Sequence, residues 1–240
     1  MKIYLKKKLS TSLRGLVRLP LIGTIFTFLL KIFNYLTFRT SINYWENRYL
    51  INRNSGEGSY GLLSEFKAEI INKFVYENNI SSVIEFGCGD GHQLSLAKYP
   101  KYIGLDVSKS AILICKNRFL NDPSKNFFLY DPDCFIDSGG VFLCDLGISL
   151  DVIFHLVEDK NFYSHLNHLF SASNKYVIIY SSDFNSPQVE AHVKNRNFSK
   201  WIEENISDWK LEQKISNRIP YNEKTLSGSW SEFFIYKRYP

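Results

Sequence analysis

Residues 83–91 of the chain are VIEFGCGDG. A short apolar run is followed by glycines at positions 87, 89 and 91 and then by a helical stretch spanning about 91–98. Glycines after a strand let the chain turn sharply, let a ligand approach the backbone closely, and open the N-terminal end of a helix toward it. Working outward, the next apolar run, YIGLDVS (102–108), ends on Asp106, nineteen residues after Gly87. A carboxylate at the tip of a second strand suits the paired hydroxyls of a ribose.

The same texture continues on both sides. Residues 62–78 place Leu62, Leu63, Phe66, Ile70, Ile71, Phe74 and Val75 on one helical face. Helices are expected over 108–121 and 158–172. Strands are expected over 126–131, 140–150 and 176–182, with a closing pair around 209–219 and 231–238. Strands alternating with helices imply parallel βαβ units in a doubly wound α/β sheet. The closing pair has no long helix between its members, which predicts an antiparallel edge hairpin. Residues 41–61, polar and aromatic with glycines at 56, 58 and 61, read as a loop-like approach to the domain.

The chain has 240 residues, 45% apolar, 16% aromatic and 22% charged, which excludes collagen-like, coiled-coil and wholly disordered classes. Its net charge of +5 is unevenly placed. Eight basic residues (Lys2, Lys6, Lys7, Lys8, Arg14, Arg18, Lys31 and Arg39) fall in the first 40 positions, and the first acidic residue is Glu46. The other 200 residues carry 21 basic against 24 acidic groups. The basic arm also holds the only long apolar stretch, residues 19–38, and the combination predicts a membrane-associating segment over 1–40 and a catalytic domain over 41–240. A cleaved signal peptide fits less well, because no small-x-small pattern follows the apolar run. A spanning helix would put the remaining 200 residues outside the cell. An in-plane anchor on the inner face is the favoured reading, with a helix packed on its own domain or on a partner as the alternative. Cys88, Cys115, Cys134 and Cys144 show neither CxxC nor zinc-ligand spacing, so free thiols and no metal are expected.

On the glycine spacing, the acidic residue Glu85 two before the first glycine, and Asp106, residues from about 45 onward resemble the class I S-adenosylmethionine-dependent methyltransferases. The nicotinamide fingerprint G-x-G-x-x-G would need glycine at position 92, which is His92. The resemblance implies a Rossmann-like seven-stranded, mostly parallel sheet and S-adenosylmethionine as cofactor. It assigns the donor to Glu85, Gly87, Cys88, Gly89, Asp90, Gly91, Asp106, Val107 and Leu150, with Asp131 near the adenine. YWENRY (44–49) and SGEGSYG (55–61) resemble a narrower bacterial subgroup associated with cell-surface polysaccharide gene clusters. In that subgroup such a segment lids the donor, which makes Trp45, Arg48 and Tyr60 candidates.

The segment DLGISLDVIFHLVED (145–159) resembles the stretch that closes the donor pocket and faces the acceptor. Asp151 and His155 are four apart and would share a face if a helical turn began at Asp151. His155 is the candidate general base, with Asp151 as its orienter or a donor contact. In HVKNRNFSKW (192–201), His192, Lys194 and Arg196 alternate and are candidates for clamping a phosphate or carboxylate of the acceptor. Trp201 and Trp209 are expected in the core. The expected activity is O-methylation of a sugar or lipid-linked glycan precursor at the cytoplasmic face of the membrane. The expected partners are a small-molecule or glycan acceptor and the membrane surface. Nucleic acid is not expected, since no basic stripe lies outside the N-terminus. The open alternatives are a small-molecule or nucleic-acid methyltransferase, and a non-catalytic donor-binding module.

Overall fold

The computed structural model describes residues 38–188, 190–225 and 227–239. The predicted membrane-associating segment therefore lies almost wholly outside the described residues. No helix among those described is long and apolar enough to cross a membrane.

Seven strands form one sheet: β1 (Val83–Phe86), β2 (Tyr102–Asp106), β3 (Lys125–Leu129), β4 (Cys144–Leu150), β5 (Ser173–Ser181), β6 (Trp209–Ile215) and β7 (Glu232–Arg238), in the order β3-β2-β1-β4-β5-β7-β6. β1 through β5 are parallel, and β7 pairs antiparallel with both β5 and β6. The predicted closing hairpin is present, with β7 inside the sheet and β6 at its edge. Strand periodicity divides the core between the two faces. Val83, Leu146, Ile148 and Ile178 point to one side, Ile84, Phe86, Val177 and Ile179 to the other.

Six α-helices are described: α1 (Ser41–Leu50), α2 (Gly61–Glu77), α3 (His92–Ser95), α4 (Lys109–Arg118), α5 (Asp159–Ser171) and α6 (Phe198–Asn205). Phe66, Ile71 and Val75 of α2 cover the first face together with Ile112 and Cys115 of α4. Phe162, Leu166 and Leu169 of α5, with Phe198 and Ile202 of α6, cover the second.

Two readings of the sequence are corrected here. The stretch read as a loop contains α1, started by Thr40, whose hydroxyl accepts from the Asn43 N–H at 3.1 Å. Only Ser41 and Tyr49 of α1 are buried, so no apolar stripe announces it, and side-chain bonds to the rest of the domain hold it instead. The helix expected over 91–98 is a single turn, His92–Ser95. Of the tryptophans expected in the core, Trp209 is buried and Trp201 half-buried.

Candidate active site

The carboxyl ends of β1, β2 and β4 converge on a cavity of about 400 Å³, where doubly wound sheets place their ligands. Its floor is the glycine turn. Gly87 and Gly89 adopt left-handed backbone angles, φ 90° and 56°, that side chains disfavour. A Cβ on Gly87 would run into Val152, and one on Gly89 would come within 2.5 Å of the Ser55 hydroxyl. Asp106, at the tip of β2, fastens this turn: one carboxylate oxygen accepts from the Gly89 N–H at 2.9 Å and the other from the Ser108 N–H at 2.8 Å. Burial nevertheless pushes the Asp106 carboxyl up to about 6, against those two bonds. Cys88, Asp90, Val107 and Leu150 complete this wall, while Gly91 lies behind it and starts α3 with φ 71°.

Glu85 is buried beneath the turn, accepting a hydrogen bond from the Tyr102 hydroxyl. Burial pushes its carboxyl up to about 7, although Tyr102 and the nearby Lys67 pull the other way. The unfolded value is 4.5, so this group's stabilisation is fully present below that pH and is lost as pH rises through 7. Glu85→Gln keeps an acceptor for Tyr102 but cannot ionise. Denaturant titrations at pH 5, 6 and 7 are expected to show a smaller loss of stability for the variant than for the parent; parallel losses would contradict the assignment.

The roof is α1 with residues 55–60. The Asp90 carboxylate accepts from the Ser55 N–H (2.9 Å), the Tyr60 hydroxyl (2.8 Å) and the His92 N–H (3.0 Å), and its own N–H donates to the Ser55 hydroxyl. Burial disfavours the ionised form, but these donors outweigh it and hold Asp90 below the usual carboxylate range. Tyr60 thus acts on the glycine turn through Asp90, with its ring stacked on His92 at 4.0 Å. Two further clasps hold α1 down. Glu46 accepts from the hydroxyls of Ser108 and Ser110, both at 2.7 Å, at the N-terminus of α4. Ser41 donates its N–H and hydroxyl to the Glu158 carboxylate. Trp45 and Arg48 line the cavity from α1, with the Arg48 guanidinium donating to the Asn54 carbonyl at 2.6 Å.

The opposite wall follows β4. Asp151 has φ 58°, unusual for a residue other than glycine, and it carries an ion pair with Lys67 (2.7 Å) and accepts from the Ser231 hydroxyl (2.9 Å). The predicted Asp151–His155 helical face does not form. The left-handed residue ends the strand abruptly, and only Ile153–His155 makes a 3-10 turn. His155 is oriented by the backbone instead: its Nδ1 lies 2.9 Å from the His192 carbonyl, which fixes the proton on Nδ1 and leaves Nε2 with its lone pair. Enclosure by Trp45, Phe154 and His192 pushes His155 down to about 4.

Of the predicted anion clamp, only His192 lines the cavity, stacked on Tyr44 at 4.3 Å. Arg196 donates to the carbonyls of Leu156 and Val157 and, with Lys194, pairs with Asp159. Both cations brace the turn before α5, so no clamp is assembled. Asp131 lies outside the lining, which Tyr130 and Pro132 supply, and its carboxylate accepts from the Asp133 N–H at 2.9 Å. Lys67 and Glu46 were missed from sequence. A lysine in an apolar helix face and a glutamate in a presumed loop give no signal until the partners are adjacent.

No protein-family model and no curated protein matches the chain. Solved structures do resemble it. An N-methyltransferase, NodS, from Bradyrhizobium japonicum WM9 in complex with S-adenosylhomocysteine superposes with a TM-score of 0.63 at 14% identity, over 84% of this chain and 100% of that one. The magnesium protoporphyrin IX methyltransferase from Synechocystis PCC 6803 with bound S-adenosylmethionine gives 0.59 at 15% identity, over 84% and 99%. The methyltransferase domain of bacterial CtHen1 gives 0.57 at 17% identity, over 73% and 98%. With its strand order, its antiparallel β7 and its glycine turn at the head of β1, the chain has the fold of the class I S-adenosylmethionine-dependent methyltransferases.

Proposed function

We propose that the protein is an S-adenosylmethionine-dependent methyltransferase that O-methylates a sugar or lipid-linked glycan precursor at the cytoplasmic face of the membrane. The observation that carries the reading is the glycine turn locked to Asp106 on the floor of the cavity. The residues present fit the donor. Gly87 and Gly89 bring bare backbone to the cavity, packed where a Cβ would strike Val152 or Ser55, and Asp106 retains acceptor capacity for a ribose. Gln93 lines the cavity with a buried amide oxygen that has no hydrogen-bond partner. When bound, the donor supplies an electrophilic sulfonium methyl. The chain's own work is to align an acceptor hydroxyl with that methyl, exclude water under α1, and receive the hydroxyl proton at Nε2 of His155.

The glycan acceptor and the membrane location rest on the subgroup resemblance of residues 44–61 and on the basic, apolar residues 1–40. A membrane-held acceptor gives such an arm a purpose, since confinement raises effective concentration. Incubating the protein with labelled donor and fractionated membrane, sugar-nucleotide and RNA pools tests this. Label is expected in the membrane or sugar-nucleotide pool; label in RNA alone, or in none, would overturn it.

Asp106→Ala removes both the anchor of the Gly89 N–H and the ribose acceptor. Donor-site affinity, measured with S-adenosylhomocysteine by calorimetry, is expected to weaken by about 1–3 kcal/mol. Unchanged affinity would remove Asp106 from the donor site.

A further inference from the structure

The loop between β6 and β7 carries the most exposed tryptophan of the chain. Trp230 is 55% exposed, whereas Trp209 is buried and Trp45 and Trp201 are half-buried. It is flanked by two aromatic rings. Tyr221 stacks on it at 4.8 Å and 30°, and Phe184, from the loop after β5, meets it edge-on at 6.0 Å. The backbone beneath is tied across the loop: the Tyr221 N–H donates to the Ser229 carbonyl and the Ser229 N–H to the Ile219 carbonyl, both at 3.0 Å. Gly228, with φ 91°, packs where a Cβ would strike the Pro220 carbonyl.

Trp230 also stands beside the cavity. Gly228 and Ser229, just before it, line that cavity, and Ser231, just after it, donates its hydroxyl to Asp151. The platform thus adjoins the Asp151 side of the site, away from the glycine turn.

The surroundings select the ligand. The loop adds amides and hydroxyls: the Asn222 amide oxygen accepts from the Lys224 and Thr225 N–H groups, Thr225 and Ser227 share a hydroxyl hydrogen bond, and Asn217 and Ser229 are committed to the Tyr180 hydroxyl and the Ser231 N–H. Lys67 is committed to Asp151, Lys194 and Arg196 to Asp159 and Arg218 to Glu69, which leaves Lys224 as the one cation of this loop with no ion pair among the described residues. A nucleic acid would need several free cations for its phosphates, and an acyl chain would need a broader apolar surface. A pyranose offers one face of C–H bonds for an aromatic ring and a rim of hydroxyls for amides. A rigid tryptophan supplies contact area at little entropic cost.

We propose that Trp230, backed by Tyr221 and Phe184, is an acceptor subsite that stacks on a pyranose ring and directs a hydroxyl of the acceptor into the cavity. The second half rests on the methyltransferase reading; the binding itself does not. The test uses full-length 15N-labelled protein and the methyl glycosides of glucose, galactose, N-acetylglucosamine and rhamnose. The indole N–H resonance of Trp230, identified by its absence in Trp230→Phe, is expected to shift saturably with at least one glycoside while that of Trp209 stays fixed. Trp230→Ala should lose the glycoside response and Trp230→Tyr retain part of it, both with unaltered affinity for S-adenosylhomocysteine. No shift with any glycoside, a shift with adenosine or uridine alone, or burial of Trp230 in phosphatidylglycerol vesicles would overturn the proposal. Calorimetry with S-adenosylhomocysteine on the same samples separates the two readings. Donor binding without a glycoside response strikes the subsite alone, and a glycoside response without donor binding strikes the methyltransferase reading.

Discussion

Lys67→Ala is expected to destabilise the protein by about 3 kcal/mol, the lower end of what removing one partner of a buried ion pair costs. The Lys67 side chain is 0% exposed and its ammonium lies 2.7 Å from Asp151. Deleting it leaves the Asp151 carboxylate, only 13% exposed, with the Ser231 hydroxyl as its remaining side-chain partner. Lys67 also sits over the Tyr180 ring at 5.3 Å, so a cation–π contact goes with it. The double variant Lys67→Met with Asp151→Asn should recover most of the loss, since asparagine tolerates the left-handed angle and methionine fills the space without a charge. Urea unfolding measures both. A Lys67→Ala variant within about 1 kcal/mol of the parent would contradict the assignment, that being the size of an exposed pair.

His155→Ala is expected to lower turnover by about 100-fold while leaving the affinity for S-adenosylhomocysteine unchanged. General bases contribute about 10²–10⁴ to rate, and a base whose pKa lies well below the working pH belongs at the low end. With the imidazole at about 4, the ring is neutral throughout the physiological range, and its activity should fall only as pH drops through about 4. The His192 carbonyl holds the Nδ1 proton and faces the positive ring that forms when Nε2 accepts the hydroxyl proton. Single-turnover rates on the acceptor pool that takes label provide the measurement. Intact turnover in the variant, or an inflection near pH 6.5 that persists in it, would place the base elsewhere; an inflection near pH 6.5 that vanishes with it would contradict the lowered pKa.

The fold was legible because its signals are local. The glycine spacing, Asp106 at the end of the second apolar run and the missing helix before β7 each follow from a few adjacent residues. The glycine-turn wall of the cavity was legible for the same reason: Gly89 at the end of β1 meets Asp106 at the end of β2. The other wall was not, because its geometry depends on contacts across the sequence. The Asp151–His155 spacing implied a helical face, and a single left-handed residue removed it. His155 found its orienter 37 positions away, in a backbone carbonyl that no side-chain pattern marks. Arg196 and Lys194 looked like an anion clamp until Asp159 stood beside them. Helix α1, read as loop, is held by Glu46 and Ser41 through partners 62 and 117 positions distant. Polar tertiary bonds of this kind leave no periodicity to read.

Isothermal titration of the full-length chain with S-adenosylhomocysteine tests whether the cavity above Gly87–Gly91 receives S-adenosylmethionine. Saturable one-to-one binding is predicted, abolished in Gly89→Ala, whose added Cβ would strike Ser55 and Tyr49, and absent when NAD replaces the ligand. Binding of NAD with none of S-adenosylhomocysteine would contradict the account.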